Sequence, residues 1–155
     1  MIKAVKKFKG LNYRQQIIFK NKKISIINDS KSTSYSSSIE MLKRKNNIYW
    51  LMGGIPKIGD KFNLSKNYCS NVQGYIFGVN QKKFSLDLKK KIKIKKFFNL
   101  SKALNELFKD VKKDNSSNIT ILFSPAAASF DNFKNFEERG KYFNNLIKTF
   151  NYAKR

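Results

Sequence analysis

The stretch NITILFSPAAASFDNFKNFEERG, Asn118 to Gly140, carries one complete step of architecture. ITILF is an unbroken apolar run rich in β-branched residues, the profile of a strand buried on both faces. Pro125 stops it, because proline offers no N–H to a ladder. Ala126, Ala127 and Ala128 leave room for something to approach the backbone closely. Beyond them, Phe136, Phe143, Leu146, Ile147 and Phe150 mark the inner side of a helix. Asp131 is a candidate cap for that helix, and Glu137 and Glu138 suit its positive end. The plainer alternative is that the small residues simply pack beneath their neighbours in a strand-to-helix turn.

The same step recurs upstream. LSKALNELFKDVKK places Leu100, Ala103, Leu104, Leu107, Phe108 and Val111 on one continuous apolar stripe, so it is read as a helix. KIKIKKF is a strand whose alternating lysines suit a sheet edge. NQKKFSLDLKK is a weaker helix, and FNLSKNYC a short one. VQGYIFG and NIYWLMGG are apolar strands, the second running into paired glycines. TSYSSSIEMLKRK is a helix opened by a hydroxyl cap. RQQIIFKNKKISIIND is a hairpin turning at Asn21 and Lys22. This alternation predicts a single α/β domain, Rossmann-like, over residues 1–155, with a mostly parallel sheet, helices on both faces and an N-terminal β-hairpin. The chain shows no internal repeat and no interdomain linker.

Composition narrows the chemistry. The formal charge is +23, built from 29 lysines and only four arginines, beside 18 asparagines, 16 isoleucines and six alanines. Lysine, asparagine, isoleucine and phenylalanine share AT-rich codons, and nucleic-acid surfaces more often recruit arginine for bidentate contacts. The lysine excess is therefore read as background, with no specific nucleic-acid partner. With no histidine and one cysteine, Cys69, the chain offers no imidazole base and no thiolate zinc site. The lone cysteine and the lack of a long apolar run predict a cytoplasmic protein that does not engage a membrane.

In parallel sheets ligands bind beyond the carboxyl ends of the strands. Three unusual loops follow strands here: INDSKST, GGIPKIGDKF and SPAAASFDNF. In NDSKST, Asp29, Lys31 and Thr33 read equally as a helix cap or as an anion site of lysine, hydroxyl and helix-start N–H groups. GGIPKIGDKF puts Lys57 in a tight loop but lacks the GxxxxGK[ST] pattern of a phosphate loop; alone it reads as a connection with a solvated lysine.

In order, INDSKST, GGxxKxxxxF and SPAxASFDxFxNFExRG resemble the C-terminal domain of the Mur ligases, in the branch that adds D-glutamate to UDP-N-acetylmuramoyl-L-alanine. GLNYR, Gly10 to Arg14, resembles the segment by which that family enters its last domain, so the likeness spans essentially the whole chain. It departs at Tyr13, Ser32, Ser34 and Ala127, where the family usually has His, Ala, Asn and Cys, and GGIPKIGDKF matches more loosely.

The resemblance implies an ATP-dependent ligase of peptidoglycan precursor synthesis. ATP and Mg2+ phosphorylate a carboxylate, and the amine of D-glutamate attacks the acyl phosphate. By motif, Lys31, Thr33, Lys57, Ser129 and Phe136 would hold D-glutamate, while Arg14 and Asp29 would reach ATP. No catalytic residue and no metal ligand is assigned to these residues. ATP, Mg2+ and UDP-N-acetylmuramoyl-L-alanine are expected on a central ATPase domain and a UDP-binding domain that this stretch does not carry, so alone it is expected to be inactive. Two other expectations stand beside this one: a small lysine-rich nucleic-acid-binding protein, using edges such as KKKIKIKKF, and a degenerate ligase remnant.

Overall fold

Over residues 11–150, which the computed structural model describes, the alternation closes into one layered sheet. The strands are β1 (Gln16–Lys20), β2 (Ile24–Asn28), β3 (Ile48–Gly53), β4 (Val72–Phe77), β5 (Lys93–Phe97) and β6 (Ile119–Phe123). Their order across the sheet is β1-β2-β6-β3-β4-β5. β1 runs antiparallel to β2, and all other neighbours are parallel. The predicted hairpin is therefore present, and the lysine-rich strand is an edge.

The helices are α1 (Tyr35–Arg44), α2 (Lys66–Cys69), α3 (Gln81–Leu88), α4 (Leu100–Lys113) and α5 (Phe136–Thr149). Strand residues alternate between two cores, as pleating demands. Ile48, Trp50 and Met52 face one side with α1, α2 and α3. Tyr49 and Leu51 face the other with α4 and α5. The predicted α4 stripe is buried at all six positions. Helices thus cover both faces, and none among the described residues is long and apolar enough to cross a membrane.

Topology also decides where a crevice opens. β6 returns to lie between β2 and β3. The helix after β2 packs on one face, whereas α5, after β6, packs on the other. Where adjacent strands send their connections to opposite faces, their loops part at the carboxyl end and leave a cleft. INDSKST and SPAAASFDNF flank that cleft.

The helix starts are capped as hydroxyl and amide side chains allow. Ser34 accepts from Ser37 N in α1, so the cap is supplied beyond Asp29, Lys31 and Thr33. The Asp131 cap is a correction: Asn135 takes that role, accepting from Glu138 N at 2.8 Å. α5 begins only at Phe136, which leaves Asp131 in the loop. Glu137 and Glu138 do occupy its first turn.

Candidate functional site

Two of the three loops are stitched together by backbone. Gly53 N donates to Pro125 O at 3.1 Å, and Ile55 and Ala128 exchange two N–H···O bonds of 2.9 Å. Gly54 sits at φ +129, where a side chain is strained, and a Cβ there would lie 2.3 Å from Ala128 O. Ala126 turns at φ 55, and Ala126 and Ala127 are buried. What approaches the small residues closely is the chain's own loop after β3.

The third loop is held from both sides. Asn28 Nδ2 donates to Gly140 O and Asn144 Oδ1 of α5, at 2.9 and 2.7 Å. Ser30 Oγ donates to Phe136 O at 2.7 Å. Arg139, with no exposed surface, donates from Nε to Ser30 Oγ and from Nη2 to Ser30 O. On the other side lies the segment before β1. Lys31 N donates to Tyr13 O at 3.0 Å, and Gln15 N to Asp29 Oδ1 at 3.1 Å. Tyr13 and Gln15 take left-handed φ values of 61 and 47 to do so. The Tyr13 ring lies where Gly140 has no side chain: a Cβ there would meet it at 2.3 Å. Tyr13 and Gly140, distant in sequence, pack against each other.

Below the loops runs a chain of buried hydroxyls. Ser32 and Ser38 share a bond of 2.7 Å, Ser38 and Ser124 one of 2.8 Å, and Ser124 Oγ donates to Asp29 Oδ2 at 3.0 Å. The Trp50 indole donates to Ser124 O at 2.7 Å. Burial pushes the Asp29 carboxyl above its ordinary 3.8, although the Gln15 amide, the Ser124 hydroxyl and the Arg14 charge oppose the shift. A raised folded-state value contributes stability below pH 3.8 that is lost as pH rises through it. In urea titrations, the advantage of wild type over Asp29→Asn should therefore be largest at acid pH and shrink as pH rises past the shifted value. The opposite slope would mean that Asp29 is held ionised.

The predicted residues are distributed unevenly around this frame. Lys31 Nζ stands 4.2 Å from the centre of the Phe136 ring, so those two are brought together. Ser129 is 4% exposed, on the loop leading to Phe136, and its hydroxyl makes no hydrogen bond to another described residue. Thr33 and Lys57 are exposed, and neither side chain bonds to another described residue. Arg14 is exposed between the pinned Tyr13 and Gln15, whereas Asp29 is buried with both oxygens engaged.

Sequence reasoning passed over Ser30, Ser38, Ser124, Arg139 and Gly140. Arg139 follows two exposed glutamates and reads as a solvated helix residue. The one available signal was that it lies three positions after Phe136 and four before Phe143, on the inner side of the helix.

Loops converging at the carboxyl ends of β2, β6 and β3 define a Rossmann-like α/β domain with its candidate site in the cleft. No family model matches the chain. Among its relatives are the UDP-N-acetylmuramoylalanine--D-glutamate ligases of three bacteria. That of Rickettsia prowazekii is 36% identical over 148 residues, covering 96% of this chain and 33% of the relative. For Wolbachia pipientis wMel the identity is 34% over 152 residues, 98% and 30% of the two chains. For Rhodospirillum rubrum it is 32% over 147 residues, 95% and 31%. The chain is homologous to the C-terminal domain of these ligases and spans about a third of their length.

Proposed function

We propose that these residues form the D-glutamate-binding domain of a ligase that extends UDP-N-acetylmuramoyl-L-alanine in peptidoglycan precursor synthesis. The juxtaposition of Lys31 and Phe136 carries this reading, because it places a cation over an aromatic wall at the mouth of the cleft. An amino acid with two carboxylates needs cations and donors, and Lys31, Lys57, Thr33 and Ser129 would supply them from three loops. Phe136 would line the aliphatic side of the ligand.

The contribution to the reaction is positioning. The D-glutamate nitrogen bonds to the acyl carbon of an acyl phosphate, phosphate leaves, and the nitrogen gives up a proton. Holding the amine in place removes much of the entropic barrier, and closing the cleft keeps water from the acyl phosphate. ATP, with Mg2+, supplies the activation of the carboxylate and would be held mainly by the rest of the ligase. On this chain, exposed Arg14 suits a phosphate. Asp29, whose oxygens already accept from Gln15 N and Ser124 Oγ, offers a ribose hydroxyl only its remaining lone pairs. The 155 residues by themselves, without a phosphate loop, are expected to form no amide.

The test is an NMR titration with D-glutamate, using the isotope-labelled chain mixed with the preceding two-thirds of the Rickettsia prowazekii ligase. Signals of Lys31, Ser129 and Phe136 should move together. A titration that leaves all three still overturns the reading. Shifts caused instead by nucleic acid, and surviving moderate salt, would favour a nucleic-acid-binding protein.

A further inference from the structure

Arg139 carries a buried charge that its surroundings do not answer. Its Nε and Nη2 are committed to Ser30, at 3.1 and 2.8 Å. Nη1 donates to nothing, and among the described residues it is the one buried side-chain nitrogen or oxygen without a hydrogen-bond partner. No described carboxylate forms an ion pair with the guanidinium. The Asp131 charge acts on it only as a weaker opposition to desolvation, which pushes the arginine down to about 10. Leaving a buried cation unpaired is costly, and such a group asks for a reason.

Its position supplies one. Ser30, which receives both bonds, adjoins Lys31, and the Ser30 hydroxyl donates in turn to Phe136 O. Nη1 points into the seam between the other two loops: a Cβ on Gly54 would stand 3.1 Å from Nη1 and 3.2 Å from the Ala127 methyl. One guanidinium therefore underlies all three loops that carry Lys31, Lys57 and Ser129.

We infer that Arg139 is a positioning residue for the D-glutamate site, holding Lys31 over Phe136 through Ser30 and placing a positive charge without an ion-pair partner beneath a pocket for a dicarboxylate. A ligand with two carboxylates supplies the negative charge that the protein withholds. The inference rests on the D-glutamate reading above, and the experiment separates the two.

Arg139→Gln and Arg139→Lys are compared with wild type, in the chain mixed with the preceding two-thirds of the Rickettsia prowazekii ligase. Each is titrated with D-glutamate and with D-glutamine, which has one carboxylate fewer. Arg139→Gln should weaken D-glutamate by about tenfold and D-glutamine much less, the size expected of one charge acting through an intermediate dielectric. Arg139→Lys should keep most of the preference for the ligand with two carboxylates. Equal weakening of both ligands in Arg139→Gln, or no retained preference in Arg139→Lys, reduces Arg139 to a packing residue and overturns the inference alone. Wild type responding to neither ligand overturns the D-glutamate reading and the inference with it.

Should Arg139→Gln not fold, Ser30→Ala tests the link without removing charge. It should shift the Lys31 and Phe136 signals of the ligand-free chain and weaken both ligands alike. Unmoved signals there overturn the link.

Discussion

Gly54→Ala is expected to destabilise the domain by about 3–5 kcal/mol, the sum of a strained backbone and an overpacked seam. Gly54 has φ +129, and its new Cβ would lie 2.3 Å from Ala128 O, with Arg139 Nη1 and the Ala127 Cβ at 3.1 and 3.2 Å. The nearest atom is backbone, held by the Ile55–Ala128 pair, so no side-chain rotation relieves the clash. Gly59→Ala is the control: φ is +77, but nothing lies within 4 Å of its Cβ. Its cost should be about 1 kcal/mol, from the left-handed backbone alone. Urea midpoints of the two variants decide the matter. If Gly54→Ala unfolds no earlier than Gly59→Ala, the seam is softer than its hydrogen bonds imply.

Lys31→Met should weaken D-glutamate binding by roughly a hundredfold while leaving the fold nearly as stable as before. Methionine keeps the length of the side chain and removes the cation. A charge-assisted bond from lysine to a carboxylate is worth about 2–3 kcal/mol, which sets the hundredfold figure. The folding cost is small because Lys31 is only half-buried and faces the Phe136 ring, an interaction worth about 0.5–1 kcal/mol at such sites. Binding isotherms beside the partner ligase domains, with denaturation midpoints of the same samples, separate the two effects. Wild-type affinity in Lys31→Met would remove it from the ligand; a collapse in stability would make it a structural residue instead.

The elements themselves were legible because each is written in local pattern. The ITILF run and the Leu100–Val111 stripe declare strand and helix through burial, whatever their neighbours do. The hairpin and the lysine-bearing edge strand follow from the same logic. The candidate site was legible to the extent that it lies beyond strand ends in segments of unusual composition: Lys31, Thr33, Lys57 and Ser129 sit on the loops there, and Phe136 opens the helix that follows one of them. Asp131 misled because it is a good capping residue, and what chose Asn135 was the point at which the backbone turned helical.

Other features depended on chain segments that meet only after folding. The insertion of β6 between β2 and β3 opens the cleft, and no local preference encodes which strands become neighbours. Tyr13 against Gly140, and Ser124 under Asp29, are contacts between distant segments. Arg139 shows the difference most plainly. By itself the sequence makes it an arginine after two glutamates, a residue for solvent. Packed beneath three loops, it is the buried cation around which they are arranged, because desolvation and hydrogen bonding act on what surrounds a group in space and not on what adjoins it in the chain.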